Sequence, residues 1–330
     1  MSGPSVCGNQ VVESGEECDD GNTNDDDACV ACNWARCGDA KVWRGVEDCD
    51  DENADDTDGC TNSCLSCSVG RGVVYWPENG HCYEAIASLQ TWGGARGTCA
   101  KRGEHLLSLG DPGEADALCA LGLLGTEPES WLGLGDVIGS GQFQFDSGEP
   151  LKRPYWGPAQ PGDAAEDAVY QKVSAANTCK AGQAYDQTWW SAPTNDTSDK
   201  LPSYCERHPV EVREATHHAY RVLYPIKSWL VADEACRALG GHLATIDSAD
   251  EAAFINGITH QLQVWLGARD DQTPGQLGWV TGEPFDYEAF AVGQPVLNTP
   301  GDNCLALLAD DAWQVLSCST GSMKALCELE

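Results

Sequence analysis

From Trp229 onward, apolar side chains recur at helical spacing. Trp229, Ala232, Cys236 and Leu239 share one face, and Gly240-Gly241 ends the run. A second helix is predicted directly after it, with Asp247-Ser248 as its cap and Ala252, Ile255 and Ile258 as its buried stripe. Elsewhere the period changes. The segments around Trp131, Phe143, Trp265, Trp279 and Leu305 to Leu308 are short, aromatic or aliphatic, and bounded by Gly, Pro and Asp, so they read as strands.

This pattern occurs twice. Tyr83, Trp92, Cys99, His105, Leu106, Glu114 and Ala115 reappear at a constant offset of 137 as Tyr220, Trp229, Cys236, His242, Leu243, Glu251 and Ala252. Farther on, Trp131-Leu132-Gly133 pairs with Trp265-Leu266-Gly267, and Cys205-Glu206 with Cys327-Glu328, at shrinking offsets. A duplicated domain with loops of unequal length is expected, joined by Arg207-His208-Pro209-Val210.

The first fifth of the chain is different. Cys7-Gly8-Asn9 and Glu17-Cys18-Asp19-Asp20 return thirty residues later as Cys37-Gly38-Asp39 and Asp48-Cys49-Asp50-Asp51. Residues 1–66 hold 17 Asp plus Glu against 3 Lys plus Arg and few large apolar residues, so disulfides must replace a core there. The expected division is 1–66, 67–208 and 209–330. The whole chain carries a formal charge of −33, which repels phosphate backbones and excludes nucleic acid as an expected partner. It contains no apolar run of the roughly 20 residues that a spanning helix requires, so no membrane insertion is expected. Eighteen cysteines at recurring spacings point to an oxidising compartment, hence a secreted or cell-surface protein.

Both copies resemble the C-type lectin-like domain: a helix with Trp and Cys, then Gly-x-His-Leu, a second helix, Trp-Leu-Gly, a Gln-Pro turn and a closing Cys-Glu. The resemblance implies an α+β fold, with two helices on small antiparallel sheets and a long loop region. It further implies that Cys99 pairs with Cys205, Cys236 with Cys327, Cys304 with Cys318, and Cys67 with Cys82. The first copy departs by having Ala168 where a bridging Cys would stand, which leaves Cys119 and Cys179 as an unusual pair. Eight cysteines then remain for residues 7 to 64, and the sequence leaves all their 105 pairings open. Those N-terminal repeats resemble the acidic Cys-rich repeat of myxobacterial surface proteins, through Cys-Gly-Asn, Gly-Glu-Glu-Cys-Asp-Asp-Gly-Asn and Asp-Gly-Cys; this would imply a bacterial surface protein.

In sugar-binding members of the family, loop carboxylates and amides hold a calcium ion whose shell sugar hydroxyls complete. Such an ion demands six to eight hard oxygens together. In the first copy Gln160, Asp163, Glu166 and Asp167 resemble half of that set, with Gly162 at a ligand position. Ser191 and Ala192 replace the Asn-Asp pair that follows the strand Trp, and Asn195-Asp196 lie nearby. The second copy has Val296 after Gln294-Pro295, and Gln314-Val315 after Trp313. The plainer reading of both sets is solvated or packed loop.

Tyr155, Trp156, Tyr185, Trp189 and Trp190 belong to the first copy's loop region, where they either stack on a sugar or fill a subcore. A separate metal hypothesis comes from alternating oxygens at Asp20, Asn22, Asn24 and Asp26 and at Asp51, Asn53 and Asp55, which resemble half a calcium loop without its closing Glu. No catalytic triad order, zinc-type His pair or phosphate loop is present, and His105 and His242 sit where backbone contacts are the ordinary role. The sequence therefore predicts a non-catalytic recognition or adhesion protein, with calcium as the candidate cofactor and a surface glycan or a protein as ligand. Ice binding rests on fold analogy alone.

Overall fold

The structure is a computed structural model of the 330-residue chain. It describes residues 6–56, 60–67, 73–110, 112–124, 127–136, 142–149, 151–162, 168–173, 187–193, 200–213, 215–226, 228–259, 262–273, 275–297, 301–321 and 323–330. Two compact units are formed: Cys67–His208, and Met1–Ser66 together with Pro209–Glu330.

Unit Cys67–His208 contains, after the hairpin β1 (Cys29–Val30) and β2 (Asn33–Trp34) of the other unit, strands β3 (Val73–Trp76) and β4 (His81–Gln90), helix α1 (Trp92–Ala100), β5 (His105–Leu106) and helix α2 (Pro112–Ala120). It continues with β6 (Glu129–Gly135), β7 (Gln144–Phe145), β8 (Ala168–Val173), β9 (Gln187–Ala192) and β10 (Leu201–Arg207). In the second copy the series is β11 (Glu211–Arg213), β12 (His218–Ile226), α3 (Trp229–Ala238), β13 (His242–Leu243), α4 (Ala249–Thr259), β14 (Val264–Thr273), β15 (Gln276–Trp279), β16 (Cys304–Leu307), β17 (Trp313–Leu316) and β18 (Met323–Leu329). The sheets run β3-β4-β10-β6-β8-β9 and β11-β12-β18-β14-β16-β17, with β5 and β13 on the closing strands and β7 and β15 on the Trp-Leu-Gly strands. The two paths correspond strand for strand, and the architecture is α+β.

Helix α1 carries Gly93, Gly94 and Gly97, poor helix formers, so packing and capping must hold it. Its face of Trp92, Ala95 and Cys99 is buried, Thr91 Oγ1 accepts from Gly94 N at 3.2 Å, and Cys99 is bonded to Cys205 on β10. Helix α3 is held likewise by Ser228 as N-cap and by Cys236–Cys327. It stops at Ala238 with Leu239 as C-cap, because Gly240 adopts φ +95°, the left-handed turn that ends helices. In α4 the buried face is Glu251, Ala252, Ile255 and Thr259, while Ile258 is half-buried. Glu251 turns inward because Tyr220 Oη donates to it at 2.6 Å, and Ser248 Oγ caps its N–H at 3.3 Å. Phe143 lies just before β7, packed against the core.

Cys304 pairs with Cys318 and Cys67 with Cys82. Cys119 is disulfide-bonded, and Cys179, its expected partner, lies outside the described residues. Both N-terminal repeats are nested pairs: Cys7–Cys32 around Cys18–Cys29, and Cys37–Cys64 around Cys49–Cys60. Residues 6–66 do not stand alone. Ala28 and Trp43 share a small core with Ala219 and Leu329 of the second copy, Trp34 stacks on His217 at 4.2 Å, and Arg221 donates to the Gly45 carbonyl at 3.1 Å.

Candidate functional site

The loop region of the first copy is organised by Gln160. Its Oε1 accepts from Ser191 N at 2.8 Å and Ser191 Oγ at 2.7 Å, and Gly162 N donates to Ser191 Oγ at 2.8 Å. The Gln160–Pro161 peptide is cis, as is Gln294–Pro295 in the second copy. The acidic run thus leaves from a turn fastened to the end of β9. Asp163, Glu166, Asp167, Asn195 and Asp196 themselves lie outside the described residues.

Trp189 and Trp190 have opposite surroundings although adjacent, as alternation along a strand requires. Trp189 is fully buried, its Nε1 donating to Gln187 at 3.0 Å and its ring meeting Phe145, Tyr155 and Trp156 edge-on. It fills the loop subcore. Trp190 is half-buried, beneath the Lys172 ammonium at 5.8 Å, and lies so close to Gly157 that a Cβ there would meet its ring at 2.9 Å.

In the second copy the corresponding oxygens serve the protein itself. Gln294 Oε1 accepts from Val296 N and Val315 N, and Asp302 accepts from Ser317 Oγ and Cys318 N. Asp270, fully buried, accepts from Asn303 N, Asn303 Nδ2, Gly275 N and Gly301 N. Burial alone would raise its pKa, but these donors hold it below the usual carboxylate range. Val296 and Val315 contribute no oxygen. Among the described residues, this donor set does not fit calcium; Asp270 draws the loop together instead. Its signal in the sequence is an Asp six residues into a hydrophobic strand, four positions past Leu266.

The N-terminal oxygens lie in turns. Asp20 accepts from Asn22 N and Nδ2, Asn22 Oδ1 from Asn24 N, Asp51 from Asn53 N, and Asn53 Oδ1 from Asp55 N, while Asp26 lies 3.9 Å from Arg44. The neighbouring aspartates, which alternation of oxygens does not single out, organise more of each loop. Asp19 accepts from the N–H groups of Gly8, Asn9, Gln10 and Gly21, and Asp50 repeats this with Gly38, Asp39, Ala40 and Glu52. This explains the recurring Cys-Gly-Asn/Asp and Cys-Asp motifs: one supplies the amides, the other the carboxylate. Although desolvation works to raise both acids, the backbone donors lower them.

A third constellation surrounds the closing Cys-Glu of each copy. Glu206 and Glu328 are buried and accept from Ser108 N and Thr245 N, while Tyr83 and Tyr220 donate to Glu114 and Glu251, each at 2.6 Å. Both tyrosines are pushed above their ordinary pKa, by burial first and the neighbouring carboxylates second. His105 Nδ1 and His242 Nδ1 contact the backbone carbonyls of Leu106 and Leu243. In the second copy His218 meets Glu328 at 2.7 Å and His242 meets Glu330 at 3.3 Å. Burial opposes the His242 charge, but the Glu330 hydrogen bond, the Leu243 carbonyl and the charges of Glu328 and Glu330 outweigh it and push its pKa to about 9. In the first copy, desolvation and the neighbouring His105 push the partly exposed His208 down to about 3, and although burial works to raise Glu206, His208 and His81 hold it well below the usual carboxylate range.

Residues 226–329 match the Lectin C-type domain. Residues 4–33 match a domain of unknown function, DUF4215. The human C-type mannose receptor 2 is 26% identical over 237 residues, covering 65% of this chain and 15% of the receptor. The galactose-specific lectin nattectin of Thalassophryne nattereri is 32% identical over 97 residues, or 27% of this chain and 61% of that lectin. The chain therefore spans less than two thirds of the length of either relative. Among solved structures, the cow CD23 C-type carbohydrate-recognition domain crystallised with a GlcNAc2Man3 oligosaccharide has 28% identity and a TM-score of 0.33, covering 34% of this chain and 88% of that one. A calcium-independent type II antifreeze protein has 26% identity and a TM-score of 0.32, covering 36% and 89%. The lectin C-type domain is a non-catalytic recognition module. Among the described residues no helix is long and apolar enough to cross a membrane.

Proposed function

We propose that the chain is a secreted or cell-surface recognition protein arranged as 1–66, 67–208 and 209–330, in which the loop region of the first lectin-like copy binds a surface glycan. Asp163, Glu166, Asp167, Asn195 and Asp196 would supply the polar groups, with calcium as the bridging ion, and Gln160, whose oxygen is held by Ser191, would anchor the turn that presents them. The observation that carries this reading is the Gln160 clamp on Ser191, which fastens one end of the acidic run to β9 beside Trp190. The second copy has aliphatic Val296 and Val315 in the matching places, so its role is scaffold. The two curated relatives, one named as a mannose receptor and one as a galactose-specific lectin, support a carbohydrate ligand.

A protein ligand is the second reading. It is favoured by the exposed Val292 and Val296 at the second copy's Gln-Pro turn, an apolar edge with no sugar-binding oxygens. A glycan array probed with calcium and with chelator tests the first reading. Calcium-dependent hits abolished by Glu166→Ala and Asp167→Ala are expected. Absence of hits, or hits indifferent to both chelator and substitutions, overturns it.

A further inference from the structure

We propose that the first lectin-like copy carries a transition-metal site, with zinc as its ligand, formed by His81, His208, Glu206 and Glu149. The two copies place the same groups around their closing glutamate: His81 and His218, Tyr83 and Tyr220, His105 and His242, Glu114 and Glu251, Glu206 and Glu328. They differ two residues beyond it, where the first has His208 and the second Glu330. That exchange turns a cluster of imidazoles answered by carboxylates into one where three imidazoles converge on Glu206.

One ligand atom from each of His81, Glu149, Glu206 and His208 lies within 4.8 Å of the others. His81 Nδ1 is 2.8 Å and His208 Nε2 3.1 Å from the same Glu206 Oε1. Imidazole nitrogen and carboxylate oxygen in a four-membered set are the donors zinc prefers, and two neutral imidazoles with two carboxylates balance its charge. The hydrogen bonds around these groups also set acceptors against one another. Asn79 is oriented by the His81 N–H, which it accepts at Oδ1, so its Nδ2 addresses His81 Nδ1 at 3.0 Å and Tyr83 Oη at 2.8 Å. The nitrogen that Asn79 treats as an acceptor faces Glu206 Oε1, another acceptor. His105 Nε2 and His208 Nε2, 2.9 Å apart, likewise have room for one proton between them. A cation among His81 Nδ1, His208 Nε2 and the Glu206 carboxylate would relieve the conflict at Glu206 Oε1 by taking up the lone pairs that converge there.

The positions allow loading. His81 opens β4 and His208 follows β10, and their side chains remain 13% and 27% exposed, while Glu206 is sealed beneath. Their rings are stacked at 3.8 Å, so binding turns them apart towards Glu206. Glu149 reaches the cluster from the turn after β7, next to Ser147, which bonds Ser108. A bound ion would tie β4, that turn and the chain beyond β10.

The test uses the intact chain, treated with chelator and dialysed, with zinc alone as calorimetric probe and cobalt(II) as spectroscopic probe. Expected are one equivalent of zinc bound, the intense visible bands of tetrahedral cobalt, and a zinc-dependent rise in melting temperature of about 5 °C at saturation. His208→Glu installs the residue the second copy carries naturally, and Glu149→Gln is nearly isosteric. Each should weaken zinc binding at least about tenfold with an unchanged near-ultraviolet dichroism spectrum. His218→Ala should not affect it. The proposal is overturned if the parent chain binds no zinc at micromolar concentrations, if folded His208→Glu and Glu149→Gln bind as the parent does, or if His218→Ala abolishes binding.

Discussion

At the scale of single residues, burial separates groups that look alike in the sequence. Trp189 and Trp190 are neighbours, yet Trp189→Ala is expected to destabilise the first copy by about 3–5 kcal/mol, as loss of a fully buried aromatic does. Trp190→Ala should cost clearly less in thermal melts. Asp270 is a buried carboxylate with four donors, and Asp270→Ala strands all of them, with an expected loss of about 3 kcal/mol. His242 gives the second copy a pH dependence. Its pKa in the fold, about 9, lies above its unfolded value of 6.5, so its contribution is complete below pH 6.5 and is lost as pH rises through 9. With screening by the exposed partner Glu330, that loss is about 1–2 kcal/mol. Denaturant melts at pH 6 and pH 10 should show it, and His242→Gln should remove it.

Among elements, the covalent bonds and the amide cages decide what holds. The Cys99–Cys205 bridge closes a separation of 106 residues and ties the last turn of a glycine-rich helix to β10, and chain entropy assigns such a closure about 4–5 kcal/mol. Replacing both cysteines by alanine should therefore unfold α1 first, seen as early hydrogen exchange in residues 92–100. In the N-terminal repeats, the carboxylates of Asp19 and Asp50 already satisfy the amides that shape the loops, and the alternating Asp and Asn side chains cap their own turns. Melting of the 1–66 module should accordingly be the same with calcium and with chelator. A drop on chelation would show that an ion completes those turns.

For the whole molecule, the N-terminal module packs against the second copy. Gly45 has φ +83°, and a Cβ there would meet the Leu239 carbonyl at 2.7 Å. Gly45→Val should loosen residues 6–66 from the small core shared with Ala219 and Leu329 and expose the module to proteolysis, with little effect on the first copy. Protease resistance equal to the parent's would contradict this docking.

The duplication, the helices, the strands around Trp131 and Trp265 and the long-range bridge cysteines were legible in the chain, because periodicity, cysteine spacing and Gly stops are local or self-repeating signals. Polar function was legible less well. Gln160 could be recognised as a loop residue, but not that its oxygen would be taken by Ser191, since hydrogen-bond acceptance depends on which donor the fold brings within 3 Å. The same reason hid Asp270, the amide cages of Asp19 and Asp50, and the convergence of His81, His105 and His208 on Glu206, residues separated by up to 127 positions that meet because β4, β5 and β10 are neighbours in one sheet. The side on which residues 1–66 dock was decided in three dimensions too. In the sequence 142 residues separate the module from Pro209, yet Ala28 and Trp43 pack on Ala219 and Leu329, with Leu239 against them.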